Sequence, residues 1–101
     1  MSISVLILTY NEESNLPVCF KSLNWCDDIV VLDSYSSDRT VEIAEKQGAK
    51  VVKRKFDDYA TQRNFGLNQI TFKYEWVLML DADEVVTMEL VREMSQRWKI
   101  S

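Results

Sequence analysis

Two carboxylates, Asp81 and Asp83, stand two residues apart where the apolar run Trp76-Val77-Leu78-Met79-Leu80 ends. On an extended segment alternate side chains point the same way, so both acids can reach one point. Two anions held that close raise each other's pKa, and a divalent cation removes the conflict. Hard oxygen donors suit Mg²⁺ or Mn²⁺, and Mg²⁺ usually takes one or two protein carboxylates together with substrate phosphates. The same residues also read as an acidic turn before the next helix, with Asp83 as its cap. Two further polar clusters follow apolar runs: Thr9-Tyr10-Asn11-Glu12 and Asp33-Ser34-Tyr35-Ser36. Neither is glycine-rich. The only glycines are Gly48 and Gly66, so the Rossmann fingerprint and the P-loop are both absent. A diphosphate bound here would need a carboxylate-held cation to neutralise it.

The elements that must position these residues alternate regularly. Ile3 to Thr9 is apolar and β-branched, as a central parallel strand should be. Leu16, Cys19, Phe20 and Leu23 recur at helical spacing, with Ser14 or Asn15 as cap, Pro17 in the first turn and an end near Asn24. Ile29 to Leu32 is a second strand ending at Asp33. Ser37 or Asp38 caps a helix from about Arg39 to Gln47, with Val41 and Ala44 inward and Gly48 as its C′ residue. Val51 and Val52 make a short third strand, followed by Lys53-Arg54-Lys55. Asp57 or Asp58 starts a helix from about Tyr59 to Gln69, with Ala60, Leu67 and Ile70 on its apolar side. Trp76 to Leu80 is the fourth strand. Thr87 to Trp98 reads as a last helix burying Leu90, Val91 and Met94.

Strands alternating with helices imply parallel pairing through right-handed crossovers. The expected fold is an α/β open three-layer sheet, with strand order 3-2-1-4 and helices on both faces. In such sheets ligands bind at the carboxyl ends of the strands, where the strand order reverses. The three polar clusters all fall at that rim.

Bulk properties narrow the chemistry. The chain has 101 residues, 47% of them hydrophobic, which suits one small domain with a core. A net charge of −4 and no basic cluster argue against nucleic-acid binding. There is no histidine, so histidine general bases, histidine metal ligands and Ser-His-Asp triads are excluded. Cys19 and Cys26 fit neither a C-x-x-C nor a zinc pattern and are expected as reduced thiols. No signal peptide is visible, and no apolar run approaches a membrane span. The expected compartment is the cytoplasm.

Four segments, in order, carry a family resemblance: Ser4-Val5-Leu6-Ile7-Leu8-Thr9-Tyr10-Asn11-Glu12-Glu13; Val31-Leu32-Asp33-Ser34-Tyr35-Ser36-Ser37-Asp38-Arg39-Thr40; Gln62-Arg63-Asn64-Phe65-Gly66; and Leu80-Asp81-Ala82-Asp83-Glu84. Together they resemble the N-terminal half of a family 2 glycosyltransferase of GT-A fold. Trp25-Cys26-Asp27-Asp28 and the segment from Tyr59 to Asn64 resemble the subset building bacterial lipopolysaccharide cores and other surface glycans. The resemblance implies a nucleotide-diphospho-sugar site. Thr9, Tyr10 and Glu12 would line the nucleoside pocket, and Asp33 would accept from the uracil or ribose. Arg63 would lie near the base and diphosphate, Asp81 near the ribose, and Asp83 at an Mg²⁺ or Mn²⁺ ion shared with Asp81. It implies a UDP-sugar donor, a saccharide or lipid-linked acceptor, an inverting reaction, and peripheral association with the cytoplasmic face of the inner membrane.

The run Asp33-Ser34-Tyr35-Ser36 departs from the two successive acids and Gly-Ser that many family members carry. The family domain also runs to about twice this length. Residues 1–101 are therefore expected to be the donor-nucleotide half, without the acceptor half or general base, binding nucleotide without turnover. Its fourth strand would then be an open edge that invites pairing into a homo-oligomer. Two other readings compete. Leu80-Asp81-Ala82-Asp83-Glu84-Val85 also resembles the haloacid-dehalogenase phosphatase signature, which belongs on a first strand. A non-catalytic Mg²⁺-binding module such as a receiver would place its acids after strands 1 and 3.

Overall fold

A computed structural model describes residues 2–97 of the protein, and the side chains of residues 2–93 among them. Four strands alternate with four helices: β1 (Ile3–Thr9), α1 (Leu16–Lys21), β2 (Ile29–Asp33), α2 (Thr40–Lys46), β3 (Lys50–Lys53), α3 (Tyr59–Gln69), β4 (Trp76–Asp81) and α4 (Met88–Arg97). The strands form one sheet in the order β3-β2-β1-β4, every pair parallel. This is the expected order, reversing direction between β1 and β4.

The pleat of β1 divides the core in two. Ile3, Val5 and Ile7 face one side, packed with Leu16, Cys19 and Phe20 of α1, Ala44 of α2 and Val91 of α4. Leu6 faces the other side with Val30 and Leu32, covered by Phe65 of α3. Helices on both faces make the three layers. Their central strands are almost continuously apolar because both faces are covered. β4 is an edge of this sheet, and Trp76 at its start is half exposed.

The helices depart from their expected limits in ways that side chains explain. α1 ends at Lys21, because the Ser22 hydroxyl donates to the Cys19 carbonyl at 2.7 Å and accepts from Val86 N at 3.0 Å. Leu23 is still buried, in the turn that follows. Asn15 precedes α1 without capping it; its side-chain amide donates to Glu12 Oε2 at 3.0 Å. In α2 the buried positions are Thr40 and Ala44, while Val41 is half-buried. Gly48 takes the left-handed φ of +82° expected just after the helix.

α3 has the expected ends and a different inward face. Ala60 is exposed and Leu67 is 39% exposed; Gln62 and Gly66 are buried, with Phe65 partly so. A β-carbon at Gly66 would meet Leu6 Cδ2 at 2.6 Å and Leu32 Cδ2 at 3.3 Å. The missing side chain therefore lets the helix lie against the sheet. In α4, Val91 is buried and Leu90 is 39% exposed. Thr87 caps it, accepting from Leu90 N through its hydroxyl at 3.1 Å. The expected burial of Met94 and the end at Trp98 fall outside the described side chains and residues.

Candidate functional site

Register puts three of the expected site residues, Thr9, Asp33 and Asp81, on one rim. Thr9 pairs with Asp33 across β1 and β2, and Leu8 pairs with Asp81 across β1 and β4. The carboxyl ends of three adjacent strands are thus level. With strands about 4.8 Å apart, β2 and β4 are separated by roughly 10 Å.

Asp33 is fully buried and braces the rim. Its Oδ1 accepts from the Thr9 hydroxyl at 2.7 Å and the Ser36 hydroxyl at 2.6 Å, and its Oδ2 accepts from Ser36 N at 2.8 Å. A carboxylate offers about four acceptor positions, so one remains on Oδ2. The loop after β1 is sewn to the loop after β2. Asn11 N donates to the Ser36 hydroxyl at 2.8 Å, and Ser37 N donates to Asn11 Oδ1 at 2.8 Å. Glu12 N donates to the Thr40 hydroxyl at 2.8 Å, and Glu13 N to Asp38 Oδ2 at 3.2 Å. Asp38 also accepts from Thr40 N at 2.9 Å and from the Thr40 hydroxyl. Two non-glycine residues in these loops take left-handed backbone, Asn11 at φ +52° and Tyr35 at φ +58°. Asparagine tolerates this; for tyrosine it costs on the order of 1 kcal/mol.

The acidic side of the rim is the turn after β4. Ala82 is buried and anchors it, while Asp81, Asp83 and Glu84 are exposed. Glu84 folds back, accepting from Asp81 N at 2.7 Å. Partial burial, then the charges of Glu84, Asp83 and Glu12, hold the Asp81 carboxyl above the usual carboxylate range. Glu12, from the loop after β1, therefore belongs to the same electrostatic cluster. Asp83 makes no hydrogen bond or ion pair among the described residues. It does not cap α4, whose cap is Thr87.

These donors fit a hard cation in part. No group of three or more acids closes a metal cage among the described residues. Two open carboxylates with crowded negative charge suit Mg²⁺ or Mn²⁺ only when ligand oxygens complete the shell. That is the donor set a diphosphate-bound ion uses.

Arg63 is exposed on α3 and bonded to none of the other site residues. It does not pair with Asp57 or Asp58. Arg54 takes Asp57 instead, with two contacts at 3.1 and 3.2 Å, and holds its carboxyl down to about 2. Arg54 also lies over the Phe65 ring, 5.0 Å from its centroid. Asp58 is the cap of α3, accepting from Thr61 N at 2.8 Å.

The sequence reading missed Gln62. It is buried, donates to the Ser34 hydroxyl at 3.1 Å and the Arg54 carbonyl at 3.3 Å, and accepts from Arg54 Nη1 at 2.7 Å. It ties α3 to the loops after β2 and β3. Its spacing of four from Gly66 was the available signal, masked because both residues look like surface types. At the opposite rim the acids have partners. Asp27 accepts from Lys73 Nζ at 2.6 Å and the Tyr74 hydroxyl at 2.9 Å. Asp28 accepts from the Ser4 hydroxyl at 2.5 Å and Lys73 N at 2.8 Å.

Residues 4–100 match the model of glycosyl transferase family 2. An uncharacterized glycosyltransferase of Rickettsia bellii is 40% identical over 93 residues, covering 91% of this chain and 31% of the relative. The lipopolysaccharide core biosynthesis glycosyltransferase LpsC of Rhizobium meliloti is 32% identical over 89 residues, covering 83% of this chain and 32% of LpsC. Among solved structures, S. aureus TarS 1–349 in complex with UDP-GlcNAc superimposes with a TM-score of 0.79 at 29% identity, over 95% of this chain and 30% of that one. The chain spans about a third of the length of the curated relatives it matches. The acid pair here ends the fourth strand, not the first as a dehalogenase-type phosphatase requires.

Proposed function

This chain belongs to glycosyltransferase family 2, and on that premise we propose that its rim is the donor site of an enzyme moving a sugar from a UDP-sugar. The acceptor is a saccharide or a lipid-linked glycan of the bacterial surface, the lipopolysaccharide core being the case supported by the likeness to LpsC. TarS was solved with UDP-GlcNAc, which supports uridine as the nucleoside. The observation that carries the reading is Asp83: an exposed carboxylate with no hydrogen bond or ion pair among the described residues, two residues from Asp81, on the rim that Asp33 braces.

The acceptor hydroxyl attacks the anomeric carbon and passes its proton to a general base, the bond from the anomeric carbon to the diphosphate breaks, and UDP leaves with its electrons. Asp81 and Asp83 would hold an Mg²⁺ or Mn²⁺ ion, which would supply neutralising charge for the leaving diphosphate. Thr9 and Asp33 fix the floor of the nucleoside pocket, and the exposed Tyr10 supplies a wall. Glu12 lies on the loop after β1, and its charge is felt at Asp81. Arg63, exposed and without a hydrogen-bond or ion-pair partner among the described residues, is available to the base or diphosphate. The acceptor site and general base are assigned to none of these residues. The proposed setting is the cytoplasm; no helix among the described residues is long and apolar enough to cross a membrane.

Isothermal calorimetry tests the reading. The wild-type chain should give binding heat for UDP with Mn²⁺ and little without it. Asp83→Ala should weaken the Mn²⁺-dependent affinity by roughly tenfold or more, the loss of one of two carboxylate ligands. Equal heats from both proteins would end it.

A further inference from the structure

The loops that carry Asn11 and Ser36 also carry two exposed aromatic rings. Tyr10 is 61% exposed and Tyr35 is 60% exposed, and neither phenol has a hydrogen-bond partner among the described residues. Their backbone neighbours are bonded across the two loops, Asn11 N to the Ser36 hydroxyl and Ser37 N to Asn11 Oδ1, both at 2.8 Å. The two rings therefore stand on loops braced to each other, and the loop after β2 is also bonded to Asp33. Tyr35 itself has the left-handed φ of +58°. A tight turn of this kind takes glycine by default, and a bulky residue there is an outlier whose cost must be offset elsewhere. Packing does not offset it, since most of the ring is in solvent. A ligand does.

We propose that Tyr35 is a binding residue for the nucleobase of the donor, forming with Tyr10 the two aromatic sides of one base pocket. The inference rests on the donor-site reading above and adds to it a contact from the loop after β2. Placement selects the base over other parts of the ligand. The acids that would hold the cation and diphosphate lie after β4, while both tyrosines lie after β1 and β2. The two ends of the rim are separated by two strand spacings, roughly 10 Å, enough to place base and diphosphate at different ends. A planar base offers a π-face to an aromatic ring whatever its edge pattern, and such stacking commonly changes affinity by about tenfold or more.

Tyr35→Gly separates this role from a structural one, because glycine relieves the backbone it replaces. Three titrations are compared: UDP with Mn²⁺, inorganic pyrophosphate with Mn²⁺, and thermal unfolding. Tyr35→Gly should keep the midpoint of unfolding, bind pyrophosphate as the wild type does, and bind UDP about tenfold more weakly. Tyr35→Phe, which keeps the ring, should recover most of that loss. Equal UDP affinity in wild type and Tyr35→Gly would overturn the inference and leave the donor site standing. Equal losses for UDP and pyrophosphate would also overturn it, showing a distorted loop instead of a lost base contact. Absence of UDP binding in the wild type would instead overturn the donor reading on which it rests.

Discussion

Asp33→Ala is expected to lower the thermal midpoint by on the order of 15 °C, measured by circular dichroism or calorimetry. The carboxylate is fully buried and accepts three hydrogen bonds, from the Thr9 hydroxyl, the Ser36 hydroxyl and Ser36 N. Alanine leaves those donors without their acceptor, the Thr9 hydroxyl in a buried place and the two Ser36 groups in a half-buried one. Each orphaned group costs about 1–3 kcal/mol, and part of the sum is recovered by relaxation, leaving about 3 kcal/mol. In a domain of this size 1 kcal/mol moves the midpoint by about 4–8 °C. Asp33→Asn should recover less than half of that loss, because with one acceptor oxygen either Ser36 N or the two hydroxyls must face its N–H₂. A drop of about 3 °C or less would show that the rim does not depend on this brace. The same bonding changes how Asp33 variants are to be read for function. Weak nucleotide binding in them reports a loosened rim before it reports a lost contact to ligand.

Asp81→Asn is expected to act in two opposite directions. The folded protein holds the Asp81 carboxyl above its usual range, through partial burial and the charges of Glu84, Asp83 and Glu12. A carboxyl raised in this way favours the folded state when protonated. That contribution is present below the unfolded pKa of about 4 and is lost as pH rises through the higher folded value. At pH 7 the ionised group therefore works against folding, and asparagine should raise the midpoint of the ligand-free protein. The gain should shrink as pH falls through the raised folded pKa and be gone below about 4. The same substitution should weaken Mn²⁺-dependent UDP binding by roughly tenfold, since an amide oxygen replaces a charged ligand. In the wild type that binding should weaken as pH falls through the Asp81 pKa, because the ion requires the ionised form. A lower midpoint at pH 7, or unchanged UDP affinity, would contradict this account of the acidic turn.

The strands and their order were legible because apolar runs ending in polar clusters leave few parallel arrangements. α3 was legible in extent, since Asp58 signals its cap. Its inward face was not, because Gln62 is held by polar partners contributed by Ser34 and Arg54, which no helical spacing reveals. Asp33 was visible as an acid at a strand end. Its burial was not, since Thr9 lies 24 residues away. Arg63 and Arg54 both lie within reach of Asp57 in sequence; the turn from β3 into α3 gives the carboxylate to Arg54. Tyr35 was read within a polar cluster, a family-like segment and a departure from the family pattern but given no role of its own, and its left-handed backbone and exposure appear only in the fold.

The central claim is that loops after β1, β2 and β4 jointly hold one nucleoside diphosphate through a cation at Asp81 and Asp83. Amide NMR with substoichiometric Mn²⁺ and saturating UDP tests it most directly, since the paramagnetic ion broadens nearby signals. The account predicts that Asp81 to Glu84 vanish first, followed by the stretches Tyr10 to Glu12 and Ser34 to Ser36. Asp27, Asp28, Lys73 and Tyr74, at the opposite rim with their acids already paired, should remain sharp. Broadening centred on those four residues, or none that depends on UDP, would contradict it.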